Sequence, residues 1–247
     1  MRANESKNVT GLATGFIDLD YSTGGLQPSD LILLAARPSM GKTALALSIA
    51  GNIAGTGKQC VAIFTLEMSK RQLVNRLLAL DSATNISSSK LIIDDTPALT
   101  VSKMRNKCRE FKKKHDLRLV VVDYLQLMGV EGNEKTQKEK VSEIAGELKA
   151  LAREMNVPIV VLSQLNKEIE KREDKRPTFS DLNDLGTIGQ DADVVMFIYR
   201  DDYYNLDSPD KGLSEIIIAK QHNGSVGTIN LAWVPEYARF ENMEMAS

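Results

Sequence analysis

Leu31–Thr43 reads Leu-Ile-Leu-Leu-Ala-Ala-Arg-Pro-Ser-Met-Gly-Lys-Thr, and the type of fold can be predicted from these residues. A short apolar run is followed by a tight polar turn, and the turn leads into the apolar-rich segment Ala44–Ala50, so the pattern predicts a strand, a loop and a helix. The ending Gly41-Lys42-Thr43 has the spacing of a phosphate-binding P-loop. Backbone N–H groups at the start of a helix, together with the helix dipole, attract phosphate.

Each residue at the end of this turn can be matched to the part of a nucleoside triphosphate, or of its Mg²⁺, that it would contact. Gly41 lets the backbone approach the phosphates, Lys42 reaches the β- and γ-phosphates, and the Thr43 hydroxyl holds Mg²⁺. Ala36 stands where the strict pattern has its first glycine, and its methyl group fits if φ stays negative. The residues predicted to bind the nucleotide are Arg37, Pro38, Ser39, Met40, Gly41, Lys42, Thr43 and Ala44. An ordinary strand–turn–helix with a chance lysine is the alternative.

Composition limits the class of protein. The 247 residues suit one large α/β domain or two small ones, and an apolar fraction of 43% is enough for a sizeable core. A net charge of −2 and a pI near 5.8 argue against a small basic DNA-binding protein, although a local basic patch remains open. Two cysteines and two histidines supply no metal-ligand spacing. We predict that Cys60 and Cys108 are buried apolar side chains, and that the protein is soluble and cytoplasmic, without a signal or membrane-spanning segment.

The remaining sequence alternates between strand and helix patterns. Residues 1–12 are polar and are predicted to be a linker from a further N-terminal domain, and residues 13–247 are predicted to form one domain. The segments predicted to be strands are Leu31–Ala36, Cys60–Leu66, Leu91–Ile93, Leu119–Asp123, Pro158–Ser163, Val194–Tyr199, Ser214–Ala219 and Thr228–Val234. Helices are predicted from Thr43 to about Gly55–Gly57, after Ser69, after Thr100 and over Val141–Met155, and loops at Gly129–Lys138 and Asn166–Thr187.

This alternation predicts an α/β fold with a mostly parallel sheet. Ligands of such sheets bind at the carboxyl ends of the strands, so the chemical residues should stand there. Glu67, Asp123 and Gln164 each end a predicted strand, as the P-loop does. The sequence therefore predicts that these residues surround one nucleotide.

ATP hydrolysis requires neutralised phosphates, a metal ion and a group that orients the attacking water. Asp123 follows four apolar residues and fits the Walker B role of holding Mg²⁺ through the water shell of the ion. Glu67 is the candidate base for the water, and Gln164 is the candidate sensor of the γ-phosphate. Two alternatives stay open: Glu67 as an acid at a helix N-terminus and Gln164 as an ordinary polar loop residue.

Five separated motifs, in this order along the chain, resemble those of bacterial replicative DNA helicases of the DnaB type. They are Ala36–Thr43, Thr65–Ser69, Asp123–Met128, Ser163–Asn166 and Gln190–Asp193. The resemblance runs from about Gly11 to Phe240. It implies a RecA-like P-loop NTPase, with a mostly parallel twisted central sheet flanked by helices and antiparallel strands toward the C-terminus. It also implies an ATP-dependent helicase that moves 5′ to 3′.

The resemblance further implies a homohexameric ring with ATP between subunits and single-stranded DNA in its centre. Primase and a helicase loader are the implied protein partners. The charged segment after Gln164 matches a family region that reaches the channel, where phosphate contacts are blind to sequence and sensitive to salt. The residues expected to contact DNA are Arg172, Lys175, Asn183, Asp184 and Gly186.

The chain departs from the family pattern at two places. The family usually has an arginine finger that reaches the γ-phosphate of the neighbouring subunit, whereas this chain has His222 there and keeps Lys220 as the second catalytic cation. Histidine is shorter and mostly neutral at pH 7. The DNA loop has Asn183 where an arginine is expected. These changes favour a second hypothesis, a RecA-like ATP-binding module with weak turnover that regulates or loads another helicase; a recombinase of the same fold is a third.

Overall fold

In the described part of the chain, a nine-stranded sheet runs between two layers of helices. The computed structural model describes residues 9–55, 59–79, 90–130 and 135–243. In chain order the strands are β1 (Leu31–Ala36), β2 (Cys60–Thr65), β3 (Lys90–Asp94), β4 (Leu117–Asp123), β5 (Ile159–Gln164), β6 (Val194–Tyr199), β7 (Leu213–Lys220), β8 (Gly227–Val234) and β9 (Arg239–Glu241). The α-helices are α1 (Ile17–Thr23), α2 (Lys42–Ala54), α3 (Lys70–Ala79), α4 (Val101–Lys114), α5 (Gln137–Met155), α6 (Ile188–Asp191) and α7 (Asp201–Tyr204).

The strand order across the sheet is β3-β2-β4-β5-β1-β6-β7-β8-β9. Strands β1 to β6 pair in parallel, and β7, β8 and β9 continue the sheet in antiparallel pairing. The predicted fold class, a mostly parallel sheet with antiparallel strands toward the C-terminus, is confirmed.

The alternating side chains of β1 divide the core into two layers. Ile32 and Leu34 pack into the layer that contains α1, α2 and α3, whereas Leu31 and Leu33 pack into the layer that contains α4, α5 and α6. All six residues of β1 are buried. A continuous apolar run is what a parallel strand needs when helices cover both faces of the sheet.

Several local predictions are confirmed by hydrogen bonds and burial. At the start of α3, the Ser69 hydroxyl donates to the Gln72 side chain and accepts from the Gln72 backbone amide. At the start of α4, the Thr100 hydroxyl accepts from the Lys103 amide at 3.3 Å. Cys60 and Cys108 are free thiols and are buried. Burial raises the pKa of Cys108 to about 12, so this side chain acts as an apolar group at neutral pH.

The prediction of one long loop over Asn166–Thr187 is wrong. This segment contains two 3₁₀ helices, Lys167–Lys171 and Phe179–Leu185. Each places a single apolar side chain in the core, Ile169 or Leu182. One apolar residue in a short helix gives no periodic signal, which explains why the sequence pattern missed both. Strand β9, only three residues long, was missed for the same reason.

Three predictions fall partly or wholly outside the described residues. The linker over residues 1–12 lies outside them up to residue 8, the predicted helix end at Gly55–Gly57 lies outside them from residue 56, and the loop Gly129–Lys138 lies outside them at residues 131–134. None of the helices in the described part of the chain has the length and apolar character needed to cross a bilayer.

Candidate functional site

The turn after β1 ends in a glycine whose backbone has a positive φ. Gly41 is the N-cap of α2 with φ of 98°, in the region that favours glycine. A Cβ atom at Gly41 would lie 2.8 Å from Cζ of Phe240, so the ring on β9 also requires glycine here. Ala36 is the last residue of β1 and is not among the described residues with positive φ, so its methyl group fits, as predicted.

Lys42 is the first residue of α2, and its side chain returns to this loop. Its Nζ donates to the carbonyl oxygens of Ala36 at 3.2 Å and of Arg37 at 3.3 Å. Burial lowers the pKa of Lys42 to about 8, while the carboxylates of Asp123 and Glu67 oppose that shift. The ammonium group is therefore held at the loop in a setting that penalises its charge and favours an anionic partner.

Thr43 and Asp123 meet beside the lysine. The Thr43 hydroxyl donates to Oδ2 of Asp123 at 2.9 Å, and the Asp123 residue is 3% exposed. Burial raises the pKa of Asp123, and Glu67 raises it further, whereas the Thr43 hydrogen bond and the Lys42 charge lower it. A hydroxyl and a carboxylate oxygen at one point are ligands suited to a hard divalent cation such as Mg²⁺.

Glu67 follows the end of β2, the strand next to β4. Thr65 pairs with Asp123 in the sheet, and the Leu66 amide donates to the Asp123 carbonyl at 2.7 Å. Glu67 is exposed, and its charge acts on the pKa values of both Lys42 and Asp123. The structure thus brings these side chains together at one edge of the sheet.

Gln164 ends β5 at the same edge. It pairs with Ala36 of β1, and the Gln126 amide donates to its carbonyl oxygen at 3.1 Å. Its exposed side chain lines a cavity of about 340 Å³, together with Tyr124, Gln126, Leu165, Asn166, Asp181, Asp184 and Leu185. Gln164 therefore lies one strand away from the P-loop.

Lys220 and His222 lie at the opposite edge of the sheet. The Lys220 ammonium donates to three carbonyl oxygens at the end of α6, those of Gly189, Gln190 and Ala192, at 2.6–3.1 Å. His222 Nδ1 is 3.7 Å from Oδ1 of Asp193, whose other oxygen accepts from the amide of Leu31 at the start of β1. Strand β1 spans about 16 Å at ~3.3 Å per residue, and this length separates both cations from the P-loop of their own chain.

The predicted DNA-contacting residues fall into two groups. Arg172 forms a bidentate pair with Asp181, with both N–O distances at 3.0 Å, and the Lys175 ammonium lies 5.6 Å from the centre of the Tyr204 ring. Both cations therefore have partners within the chain. Arg172 is the better held of the two, because it also donates to the Arg176 carbonyl at 2.8 Å.

The second group lies on and after the 3₁₀ helix Phe179–Leu185. Asn183 and Asp184 are exposed, and Asp184 accepts from the Asn166 amide at 3.1 Å. Gly186 has φ of 64°, and a Cβ there would lie 2.7 Å from the Lys138 carbonyl oxygen. This glycine is thus required by the close approach of its backbone to α5.

Sequence reasoning missed a cavity next to the P-loop. It has a volume of about 300 Å³ and is lined by Ala44, Leu47, Asn75, Arg76, Glu236, Tyr237 and Ala238. The Arg76 charge lowers the pKa of Asp123, which places this arginine near the predicted metal ligand. The sequence offered no signal for it, because Arg76 stands among the polar residues of an amphipathic helix.

Comparisons with known proteins point to one family. A family model described as DnaB-like helicase C terminal domain matches residues 11–89 and 79–242. The replicative DNA helicase DnaB of Geobacillus stearothermophilus is 48% identical over 99% of this chain, and the replicative DNA helicase DnaC of Bacillus subtilis is 46% identical over 98%. The chain spans 59% and 58% of the lengths of these two relatives.

Solved structures give the same result. One that is described as an ATPase domain superposes with a TM-score of 0.91 at 38% identity, covering 97% of this chain and 94% of that one. A DnaB-like replicative helicase, described with its interactions with primase, superposes with a TM-score of 0.92 at 37% identity, covering 97% of this chain and 64% of that one. The RadB recombinase shares the fold, with a TM-score of 0.65 at 21% identity. The chain belongs to the DnaB-like helicase C-terminal domain family.

Proposed function

We propose that residues 13–247 form the motor domain of a replicative DNA helicase, and that residues 1–12 belong to the linker from an N-terminal domain. The motor hydrolyses ATP at subunit interfaces of a ring, moves 5′ to 3′ on single-stranded DNA and unwinds the duplex. One observation carries the proposal: Thr43 and Asp123 meet at 2.9 Å beside the Lys42 ammonium, at the start of a helix. A triphosphate needs this combination of cation, metal ligands and backbone N–H groups.

Each member of the site has a proposed part. The backbone N–H groups of residue 37 and of residues 39–44, together with the Lys42 ammonium, hold the phosphates. Thr43 would hold Mg²⁺ through its hydroxyl, and Asp123 would hold it through the water shell of the ion. Mg²⁺, when bound, supplies positive charge to the phosphate oxygens. Glu67 accepts the proton of the attacking water, and the Gln164 amide binds the γ-phosphate by a hydrogen bond. The cavity beside Arg76 and Tyr237 is large enough for the nucleobase.

Lys220 and His222 are proposed to act on the nucleotide of a neighbouring subunit. Their place at the far edge of the sheet supports this, because they cannot approach the P-loop of their own chain. A closed ring of identical subunits, here a hexamer, gives each site such a neighbour. DNA lies in the centre, near Arg172, Lys175, Asn183, Asp184 and Gly186, and primase and a loader bind the assembled helicase.

The direct test is strand displacement on a forked DNA duplex with ATP and Mg²⁺, measured together with the mass of the assembly. A motor displaces a strand as a ring. The second hypothesis, an ATP-binding module with weak turnover, is favoured by His222 standing 3.7 Å from Asp193 and by the three carbonyl partners of Lys220. A monomer that binds ATP and displaces no strand would support that module instead.

Nucleotide affinity should fall as pH rises through 8. Below its pKa of about 8, Lys42 carries the charge that attracts phosphate, and above it binding must also take up a proton. Between about pH 7 and pH 9 we expect a roughly tenfold loss of affinity for a fluorescent ATP analogue, measured by equilibrium titration at constant ionic strength. A Lys42→Met variant should lose this pH dependence, and an equal slope in that variant would assign it to another group.

Replacing His222 by arginine should raise the ATPase rate. A guanidinium is always charged and reaches further than an imidazole, so it stabilises the transition-state charge better. We expect the ATPase rate to increase about tenfold, which is a small part of the roughly 10³–10⁵-fold increase in kcat that an arginine finger can supply. The assay is phosphate release with and without single-stranded DNA. The matched control is His115→Arg at the exposed end of α4, and an unchanged rate in His222→Arg would mean that the catalytic cation comes from elsewhere.

A further inference from the structure

The Arg37 guanidinium is buried between the P-loop and the segment that follows β5. Its side chain is 9% exposed, Nε donates to Oε1 of Glu170 at 2.9 Å, and Nη1 donates to the Leu165 carbonyl at 2.7 Å. A buried guanidinium needs both an anion and hydrogen-bond acceptors, and here both come from residues just past the candidate γ-phosphate sensor. Arg37 therefore joins the P-loop to the 3₁₀ helix Lys167–Lys171.

The main chain around Arg37 is linked to the same segment and to the candidate phosphate-binding lysine. The Leu165 amide donates to the Ala36 carbonyl at 3.0 Å. Lys42 Nζ donates to the carbonyls of Ala36 and Arg37. A phosphate that accepts from Lys42 competes with these two carbonyls. Binding at Lys42 therefore changes the hydrogen bonding of the residue whose side chain holds Glu170.

The contacts continue toward the basic residues of the loop. Tyr204 lies close enough to Glu170 and Arg37 for both charges to act on its hydroxyl. Burial raises the pKa of Tyr204, the Glu170 charge raises it further, and the Arg37 charge lowers it. The Lys175 ammonium lies over the same tyrosine ring. Arg37, Glu170 and Tyr204 thus form one cluster between the P-loop and Lys175.

We infer that Arg37 is a positioning residue that couples the nucleotide to the placement of residues 165–176 through its ion pair with Glu170. This rests on the proposed function, since the segment is the one proposed to approach DNA. The pair suits the task because a buried charge cannot leave its partner without finding another. A shift of the P-loop backbone therefore carries Glu170, and the 3₁₀ helix with it.

The test is amide hydrogen exchange of residues 165–176 in the 247-residue chain, with and without a non-hydrolysable ATP analogue. In the wild type the analogue should change exchange in this segment by about three- to thirtyfold. Glu170→Gln removes the charge and keeps the size, and it should abolish most of that change while the analogue binds as before. The matched control is Glu168→Gln in the same 3₁₀ helix, whose exposed partner is Lys171, and it should respond like the wild type.

A double-mutant comparison separates coupling from simple structural support. If the pair is the link, Arg37→Met and Glu170→Gln together should remove no more of the nucleotide response than either change alone. If the pair were merely structural, its loss would raise the exchange of residues 165–176 equally with and without the analogue. A full response to the analogue in Glu170→Gln would overturn this inference and leave the proposed function standing. A wild-type chain that binds no analogue would overturn the proposed function, and this inference with it.

Discussion

Lys42→Ala should lower the ATPase rate by at least about 10²–10³-fold, the usual effect of removing one group that stabilises transition-state charge. The methyl group leaves the β- and γ-phosphates without the lysine cation, while the carboxylates of Asp123 and Glu67 remain beside the site. Phosphate release at saturating ATP and Mg²⁺, with and without single-stranded DNA, measures the effect. Strand displacement should be lost with it.

The loss should not come from unfolding. Burial depresses the folded-state pKa of Lys42 below its ordinary value of 10.5, so the charged ammonium costs folding free energy at neutral pH. That cost disappears in the alanine variant, which should melt at the wild-type temperature or above it. Lys103→Ala on the exposed face of α4 is the control for a lost lysine. Wild-type turnover in Lys42→Ala would defeat the proposed motor.

The position of the candidate site could be predicted because its signals are local. The P-loop pattern lies within one strand, one turn and the start of one helix, and such short-range patterns survive in a single sequence. The rule that ligands bind at the carboxyl ends of parallel strands then selected Glu67, Asp123 and Gln164 from many polar residues. The register of β1, β2, β4 and β5 places the three at the same edge.

The contacts around the site could not be predicted, since they join residues far apart in the chain. Phe240 packs on Gly41, and the Trp233 and Phe240 rings lie 4.9 Å apart between centroids, yet β9 is too short to show a strand pattern. Arg37 was assigned to the nucleotide loop by its position, whereas the partners of its side chain are Glu170 and the Leu165 carbonyl. Sequence spacing locates a residue on an element, and only tertiary packing decides which way its side chain points.

Glu67→Gln should lower the ATPase rate by about 10²–10⁴-fold, the range for loss of a general base. Glutamine has nearly the same size but cannot accept the proton of the attacking water. Glu67 is exposed, and its negative charge repels the phosphates. Nucleotide affinity should therefore stay level or improve in the glutamine variant. Phosphate release, together with titration of a fluorescent ATP analogue, separates the two effects.

The alternative role of Glu67, an acid near the N-terminus of a helix, predicts a different pattern. Helix α3 begins at Lys70 and already has a cap in Ser69, which contacts Gln72, so a charge at Glu67 would add only about 0.3–1 kcal/mol to folding stability. If that were its whole contribution, Glu67→Gln would lower the melting temperature slightly and leave turnover intact. Glu110→Gln, on the exposed face of α4, controls for the loss of a carboxylate. Slow turnover with an unchanged melting temperature and undiminished nucleotide binding would identify Glu67 as the base. A group that acts on the reacting water affects turnover without affecting folding or binding.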